Sequence, residues 1–371
     1  MKKIGIHTFL KIFSLFVLSR LLILFAFYIA LHYYDALAVN GSNFQYCKSK
    51  LLNCLGNWDS GWYLSVVKNG YVTDTINGGQ SNYGFFPFYP MAIKMLGLVI
   101  HNDFAAGIII SNILLLVSSI FLFLLSLNIY QNRSIALLTV GVLFFFPGSY
   151  LLSGVYSESA FICFSIMSIY FFEKGDYALS GISGFFLTLT RPFGVLILLP
   201  LFLRYISKYG IDFKPRVLYL ILIPSGMFSF FVYCYLTTGD FLFYIHAKES
   251  GWGTKYAIPW QVLIQGLKTS DHYLYFNSFY TVSILALSVF LIRFSPLYLL
   301  VWILLLIAAP LSNGVVNLVC MPRYILVCFP LFMMIGAFAT KHKWGWLLIF
   351  LLVAVNFVLS GYFQLGYEFA A

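Results

Sequence analysis

The chain has 371 residues, of which 61% are hydrophobic and only 9% charged, against about 25% charged in an average soluble protein. Its mean hydropathy of +0.90 excludes an ordinary water-soluble globule. The formal charge of +10 does not mark a nucleic-acid binder, because no basic aromatic module accompanies it; Lys and Arg gathered in short loops between apolar runs mark cytoplasmic loops instead.

The first apolar run, Phe9 to Leu31, follows Lys2 and Lys3 and is long enough to span a bilayer, which takes about 20 residues. No small-residue cleavage site follows it, so it reads as an anchor with a cytoplasmic N-terminus. Next comes a polar stretch, residues 32–90, the first long outer loop. It contains NWDSGWYLSVVKNGY and NYGFFPFYP; an apolar segment, Pro87 to Ile100, overlaps its end and is short, with the length of a re-entrant or interfacial helix.

Further spans are expected at Ala106–Tyr130, Ile135–Leu152, Ser159–Phe172, Ala178–Thr190, Phe193–Ile206 and Leu218–Leu236. After a second long outer loop, 237–276, come Ser278–Ile292, Leu297–Leu311, Ile325–Phe338 and Trp344–Leu359. The expectation is an all-α polytopic bundle of about eleven spans, with interfacial helices in the two long loops. Several runs are short, as helices lining an internal cavity are allowed to be. No polar stretch is long enough for a soluble domain, so residues 1–371 read as one membrane-embedded unit. Each expected inner turn carries a basic residue: Arg133, Lys174, Arg204, Lys208, Lys214, Arg216, Arg293, Lys341 and Lys343.

Six cysteines are scattered along the chain, and no Cys/His cluster suggests a metal. Cys163, Cys234, Cys320 and Cys328 read as small packing residues. Cys47 and Cys54 share the first outer loop, where an oxidising compartment would permit a disulfide.

The chemistry-bearing residues follow the same order. Asp59 precedes a helical pattern of Trp62, Tyr63, Val66 and Val67. Two roles are open to it: a helix N-cap, or a general base held among Trp58, Trp62 and Tyr63 that takes a proton from a hydroxyl nucleophile. Glu158, in GSYLLSGVYSESAF, sits in a thin polar island at the end of a span. Ser157 would cap the following helix, but an acid near membrane depth is also a functional candidate by default. Arg191 stands before Pro192, between two apolar runs; it would either snorkel to the interface or contact an anionic head group. Arg323, in NLVCMPRYILVCFP, lies at the outer end of a span, where a guanidinium suits phosphate. In the second outer loop His246, Lys248, Glu249, Trp252 and Lys255 would either be solvated or close over a ligand.

NWDSGWYLSVVKNGY with NYGFFPFYP resembles the first luminal loop of the PIG-V family of mannosyltransferases, in the GT-C superfamily. The similarity continues through Tyr156–Ser159, TRPFGVL at Thr190–Leu196 and MPRYILVCFP at Met321–Pro330. This resemblance implies a membrane mannosyltransferase that uses a polyprenyl- or dolichyl-phosphate sugar and a lipid-linked or glycolipid hydroxyl acceptor on the non-cytoplasmic face. Asp59 takes the catalytic position of that family. The displacement inverts the anomeric centre, and no cofactor or metal is required for a phosphate monoester to leave. Arg323 and Arg191 would hold the phosphate; Trp58, Trp62, Tyr63, Glu158, His246, Lys248, Trp252 and Lys255 would contact substrates. A chain of this length fits a prokaryotic relative in the inner membrane; a eukaryotic one would sit in the endoplasmic reticulum. The rival readings are a transporter or lipid flippase, which would need a polar path from both sides, and a non-catalytic subunit that presents a lipid-linked sugar to a partner. The absence of any internal repeat speaks against an inverted-repeat transporter.

Overall fold

A computed structural model describes residues 5–34, 38, 45–75, 79–212 and 214–367. The described chain is all-helical. Before the long loop comes α1 (Ile6–Tyr34). The loop itself folds into α2 (Lys50–Asn53), α3 (Ser60–Asn69) and α4 (Phe88–Ile100). The central helices are α5 (Asp103–Tyr130), α6 (Arg133–Phe145), α7 (Glu158–Glu173), α8 (Tyr177–Thr190), α9 (Leu198–Tyr209) and α10 (Leu222–Thr238). The second loop contributes α11 (Phe243–Trp252) and α12 (Pro259–Lys268); then follow α13 (His272–Phe290), α14 (Leu297–Leu311), α15 (Met321–Leu326), α16 (Phe329–Lys341) and α17 (Trp344–Gln364).

Among the described residues six helices are long and apolar enough to cross a membrane, or seven if the pair Val315–Leu326 and Phe329–Lys341, bent by 51°, counts as one broken span. All eleven expected spans are helical, but length and composition support a full crossing for only six or seven of them. Two depart from the sequence reading. The run Ile135–Leu152 stops at Phe145, because Phe146 precedes Pro147 and takes the extended backbone that such a position prefers. The run Ile325–Phe338 breaks between Leu326 and Phe329.

α7 is the central post. Nearly all of it is buried, and it packs between α5 and α8. The irregular segment 146–157 that feeds α7 is fixed by a residue in α1. Arg20 donates to Phe144 O at 3.0 Å, Ser149 O at 2.9 Å and Ser153 Oγ at 2.7 Å. Phe144 O lies in the last turn of α6, where carbonyls lack an intrahelical partner, and the five guanidinium donors suit such a cluster.

The two long loops meet at one end of the bundle. Tyr83 OH donates to Thr237 Oγ1 at 3.0 Å, and a Cβ on Gly84 would stand 3.0 Å from the Trp252 ring. Tyr63 packs edge-on against Phe85 and Tyr89, with centroids 5.1 and 5.0 Å away; such pairs each contribute about 0.5–1.5 kcal/mol beyond burial. This aromatic floor makes the loop-bearing end a packed structure.

Candidate active site

Four local breaks aim four charged side chains at one point. Asp59 stands immediately before α3, in helical backbone (φ −61°, ψ −17°), and its carboxylate makes no capping bond; only its carbonyl serves the helix, accepting from Trp62 N at 3.0 Å. The capping role therefore falls away, and the side chain turns to Arg323. Glu158 opens α7, and the expected cap beside it, Ser157, likewise caps nothing. Ser157 Oγ instead meets Tyr63 OH at 2.7 Å and accepts from Arg191 Nε at 2.9 Å. Arg191 leaves α8 because Pro192 forces an extended conformation on it (φ −155°, ψ 141°). Arg323 sits in the short α15, with Pro322 at the N-terminal position that proline tolerates.

These residues form one ion network. Arg323 Nη1 lies 2.8 Å from Asp59 Oδ2, and its Nε 2.8 Å from Glu158 Oε1. Arg191 Nη2 lies 2.6 Å from the same Glu158 oxygen. The Arg323 guanidinium also stands over the Tyr156 ring at 4.9 Å, while Tyr156 OH donates to Asn57 O at 2.7 Å. Glu158 is fully buried, and its second oxygen, Oε2, has no hydrogen-bond partner among the described residues. Asp59 keeps a third of its side-chain exposure, so it is the carboxylate that faces open space.

That space is a cavity of about 590 Å³. Asp59, Arg191, Arg323 and Lys248 line its charged part; Phe193, Leu196, Met227, Phe231 and Val316 line an apolar part between α8–α9, α10 and α14–α15. Lys248 is held by rings and has no ion pair among the described residues: its Nζ is 4.1 Å from the Trp252 centroid and 4.8 Å from that of Phe85. Burial pushes its pKa down to about 8 against the pull of Asp59. Burial pushes the Asp59 carboxyl up, but Arg323, Lys248 and Arg191 outweigh it and hold it below the usual carboxylate range. Three cations thus face two carboxylates, and the surplus is one positive charge. Among the described residues no three His, Cys, Asp or Glu side chains gather as a metal-ligand set.

The other expected site residues divide. Tyr63 and Trp252 line the cavity, and Trp62 stacks on Phe85 (5.8 Å, 12°) behind them. Trp58 adjoins Asp59 in a left-handed conformation (φ 55°) that is uncommon for such a residue, and its buried indole N–H has no partner among the described residues. His246 and Lys255 do not line the cavity. His246 Nδ1 is 2.6 Å from Asp240 Oδ2 on the exposed side of α11, and Lys255 is exposed, contributing its backbone N–H to Asn313 O. The expected closure by a whole loop cluster reduces to Lys248 and Trp252, because α11 is a helix and only one face of it meets the cavity. Cys47 and Cys54 are not bonded to each other; their thiols donate to Ser49 O and Leu51 O within the same turn. Sequence reasoning did not single out Arg20, Tyr244 or Asn313. Arg20 carried a usable signal, a lone arginine within an apolar run; the other two carried none.

The folds of two solved enzymes match this architecture. ArnT from Cupriavidus metallidurans bound to undecaprenyl phosphate superposes with a TM-score of 0.54 at 11% identity, over 90% of this chain and 62% of that one. The oligosaccharyltransferase of Archaeoglobus fulgidus in its apo form gives 0.52 at 11% identity, over 94% of this chain and 56% of that one. The chain thus spans between half and two thirds of their length, and at such identity the likeness is one of fold. No curated protein matches the sequence significantly. The family model for mannosyltransferase (PIG-V) matches residues 6–213, which hold Asp59, Glu158 and Arg191. With more than half of its length under that model, the chain belongs to the mannosyltransferase (PIG-V) family.

Proposed function

We propose that the protein transfers mannose from a polyprenyl-phosphate donor to a hydroxyl of a lipid-linked or glycolipid acceptor, on the non-cytoplasmic face of the membrane. The observation that carries this reading is Arg323, bridging a buried Glu158 and a cavity-facing Asp59 at the wall of a half-apolar cavity. The donor is a phosphodiester with one negative charge, a prenyl tail and a sugar. The site offers one surplus positive charge, an apolar recess and an ionised carboxylate. ArnT, with a similar fold, is bound to undecaprenyl phosphate, which supports a lipid phosphate as a ligand of this architecture.

The chemistry is one displacement. The acceptor oxygen bonds to the sugar's C1 while the bond from C1 to the phosphate oxygen breaks, its electron pair staying on polyprenyl phosphate. Asp59 takes the acceptor's proton. Glu158 holds Arg191 and Arg323 in the cavity wall, so they approach the phosphate in fixed geometry, and Lys248 supplies the charge that no carboxylate cancels. As the phosphate engages Arg323, the pull of that guanidinium on Asp59 weakens, which raises the basicity of the carboxylate when the acceptor is present.

Charge supports this orientation. With Arg133, Lys174, Arg204 and Arg293 in the turns expected at the opposite end, the positive-inside rule favours a site on the outer face, in the inner membrane of a prokaryote or the endoplasmic reticulum of a eukaryote. The test is Asp59→Asn in purified protein, assayed with polyprenyl-phosphate mannose. Transfer is expected to fall about 10²–10⁴-fold with donor binding retained. Wild-type turnover in the variant would remove Asp59 from the mechanism.

A further inference from the structure

One wall of the cavity carries polar side chains without charge. At its mouth α11 ends on Gly253 (φ 64°), which turns the chain so that Thr254 comes back beside Lys248 O. Opposite, α14 ends and Gly314 (φ 94°) reverses the chain after Asn313. The two turns are tied together: Lys255 N–H donates to Asn313 O at 3.2 Å, and Ala257 N–H to Ser312 O at 2.9 Å. Both positive-φ positions favour glycine, so the backbone of this wall is fixed by its sequence.

Three neutral polar side chains face the cavity from these turns: Thr254, Asn313 and Asn317. The Asn317 amide nitrogen is used, donating to Pro310 O at 3.1 Å, which leaves its oxygen free as an acceptor. The Thr254 hydroxyl and the Asn313 amide make no hydrogen bond to another described residue. Thr190 provides the contrast: it also lines the cavity, but its hydroxyl is spent on Phe186 O at 2.8 Å in its own helix. From Asn317 to Arg323 the chain runs through one turn of 3₁₀ helix and one of α-helix, a rise of about 10 Å. That is the order of a phosphate and one pyranose ring set end to end.

We infer that Thr254, Asn313 and Asn317 form the subsite that reads the hydroxyls of the transferred sugar. The inference rests on the donor reading above. The apolar recess suits the prenyl chain and the cationic part the phosphate, so the uncharged polar wall is what remains for the sugar. Sugar hydroxyls donate and accept at once, and free amides and hydroxyls match both functions without the desolvation cost of a charge. A site built to pair a hydroxyl discriminates strongly against an epimer that cannot pair with it.

The test measures binding of two probes, polyprenyl-phosphate mannose and bare polyprenyl phosphate, to the purified full chain without acceptor. Thr254→Val is isosteric, and neither it nor Asn313→Ala breaks a bond of the fold. Each is expected to weaken the mannosyl lipid about two- to tenfold, the worth of one hydrogen bond, and to leave bare polyprenyl phosphate unchanged. Asn317→Ala would add a stability loss, so it is used only for comparison. Unchanged affinity for both probes overturns the subsite, and equal weakening of both means that the wall merely supports the phosphate site. A rise in acceptor KM with donor binding intact moves these residues to the acceptor. Failure of the wild type to bind either lipid would sink the donor reading itself and the subsite with it.

Discussion

The two ends of α7 each carry a glutamate with a buried side chain held by arginine, and they differ first in how fully that carboxylate is satisfied. At the far end Glu173 is satisfied: Oε1 accepts from Arg204 Nε and from Tyr298 OH, both at 2.7 Å, and Oε2 accepts from Arg204 Nη2 at 3.0 Å. At the loop-bearing end Glu158 takes two arginines on one oxygen and leaves the other bare. One carboxylate and one bidentate arginine close the first network. The second spreads over four charged groups, adds Lys248 and opens onto 590 Å³ of space. The lesson concerns how to read buried ion pairs. A saturated pair explains itself as structure, whereas a network with a surplus charge, a spare oxygen and a cavity still has a binding partner to find.

The largest difference is expected from Glu158→Gln against Glu173→Gln. Removing one partner of a buried network costs about 3–5 kcal/mol, because it leaves charge uncompensated. At Glu158 it would leave Arg191 and Arg323 buried with only Asp59 to answer them. Glu158→Gln should therefore lose both thermal stability and transfer per folded molecule, read by melting in detergent and by turnover normalised to folded protein. Glu173→Gln should lose stability and keep normalised turnover. If the two variants matched in normalised turnover, the distinction between the ends would collapse.

Lys248 differs from the lysine beside Glu173: Lys174 is exposed and donates to Asn128 Oδ1 at 2.7 Å, whereas Lys248 lines the cavity. Lys248→Met keeps the aliphatic stem on Phe85 and Trp252 and removes the charge. Donor affinity should fall about ten- to a hundredfold, the range for a hydrogen bond to a charged group. The pH dependence follows with a definite sign. With its pKa lowered to about 8, Lys248 is protonated below that value and neutral above it. Donor binding should decline as pH rises through about 8 in the wild type, and this limb should vanish in the methionine variant. Persistence of the limb in Lys248→Met would assign the titration elsewhere.

How much of this could be read from the sequence depends on the kind of residue. Asp59, Glu158, Arg191 and Arg323 stood out because a charge in an apolar context is expensive and therefore conspicuous. That they would bind each other did not stand out. Asp59 and Arg323 are 264 residues apart, and only the fold, which carries the start of α3 and the short α15 to the same cavity, brings them together. Local pattern also misled. An aspartate before α3 and a serine before α7 look like caps, yet both side chains are drawn into the longer-range network, since an ion pair in a poorly solvated site outweighs a cap of about 1 kcal/mol. His246 shows the reverse, a residue grouped with the cavity that finds a nearer partner in Asp240. Asn313 and Thr254 stayed invisible, because uncharged polar residues in loops are ordinary until a fold turns them inward. The membrane class was legible from composition, but the span count was not: helices such as α6 and α14, of 13 and 15 residues, fall short of a full crossing.

The smallest expected effect lies at the far end, in Arg204→Lys. The lysine keeps the charge but replaces a planar two-bond fork with a point charge, so one of the two contacts to Glu173 is lost. Arg204 is 31% exposed, and water screens what remains. The cost should stay below about 1 kcal/mol, visible as a small drop in melting temperature, with donor affinity and turnover unchanged. The same exchange at Arg323, 6% exposed and bound to two carboxylates on different segments, cannot be so mild. A lysine ammonium there has no fixed fork with which to hold Asp59 and Glu158 apart, so donor affinity should fall with the geometry. Equal mildness at both positions would mean that charge alone organises the site. The guanidinium geometry, and with it the separate roles of the two ends of α7, would then be superfluous.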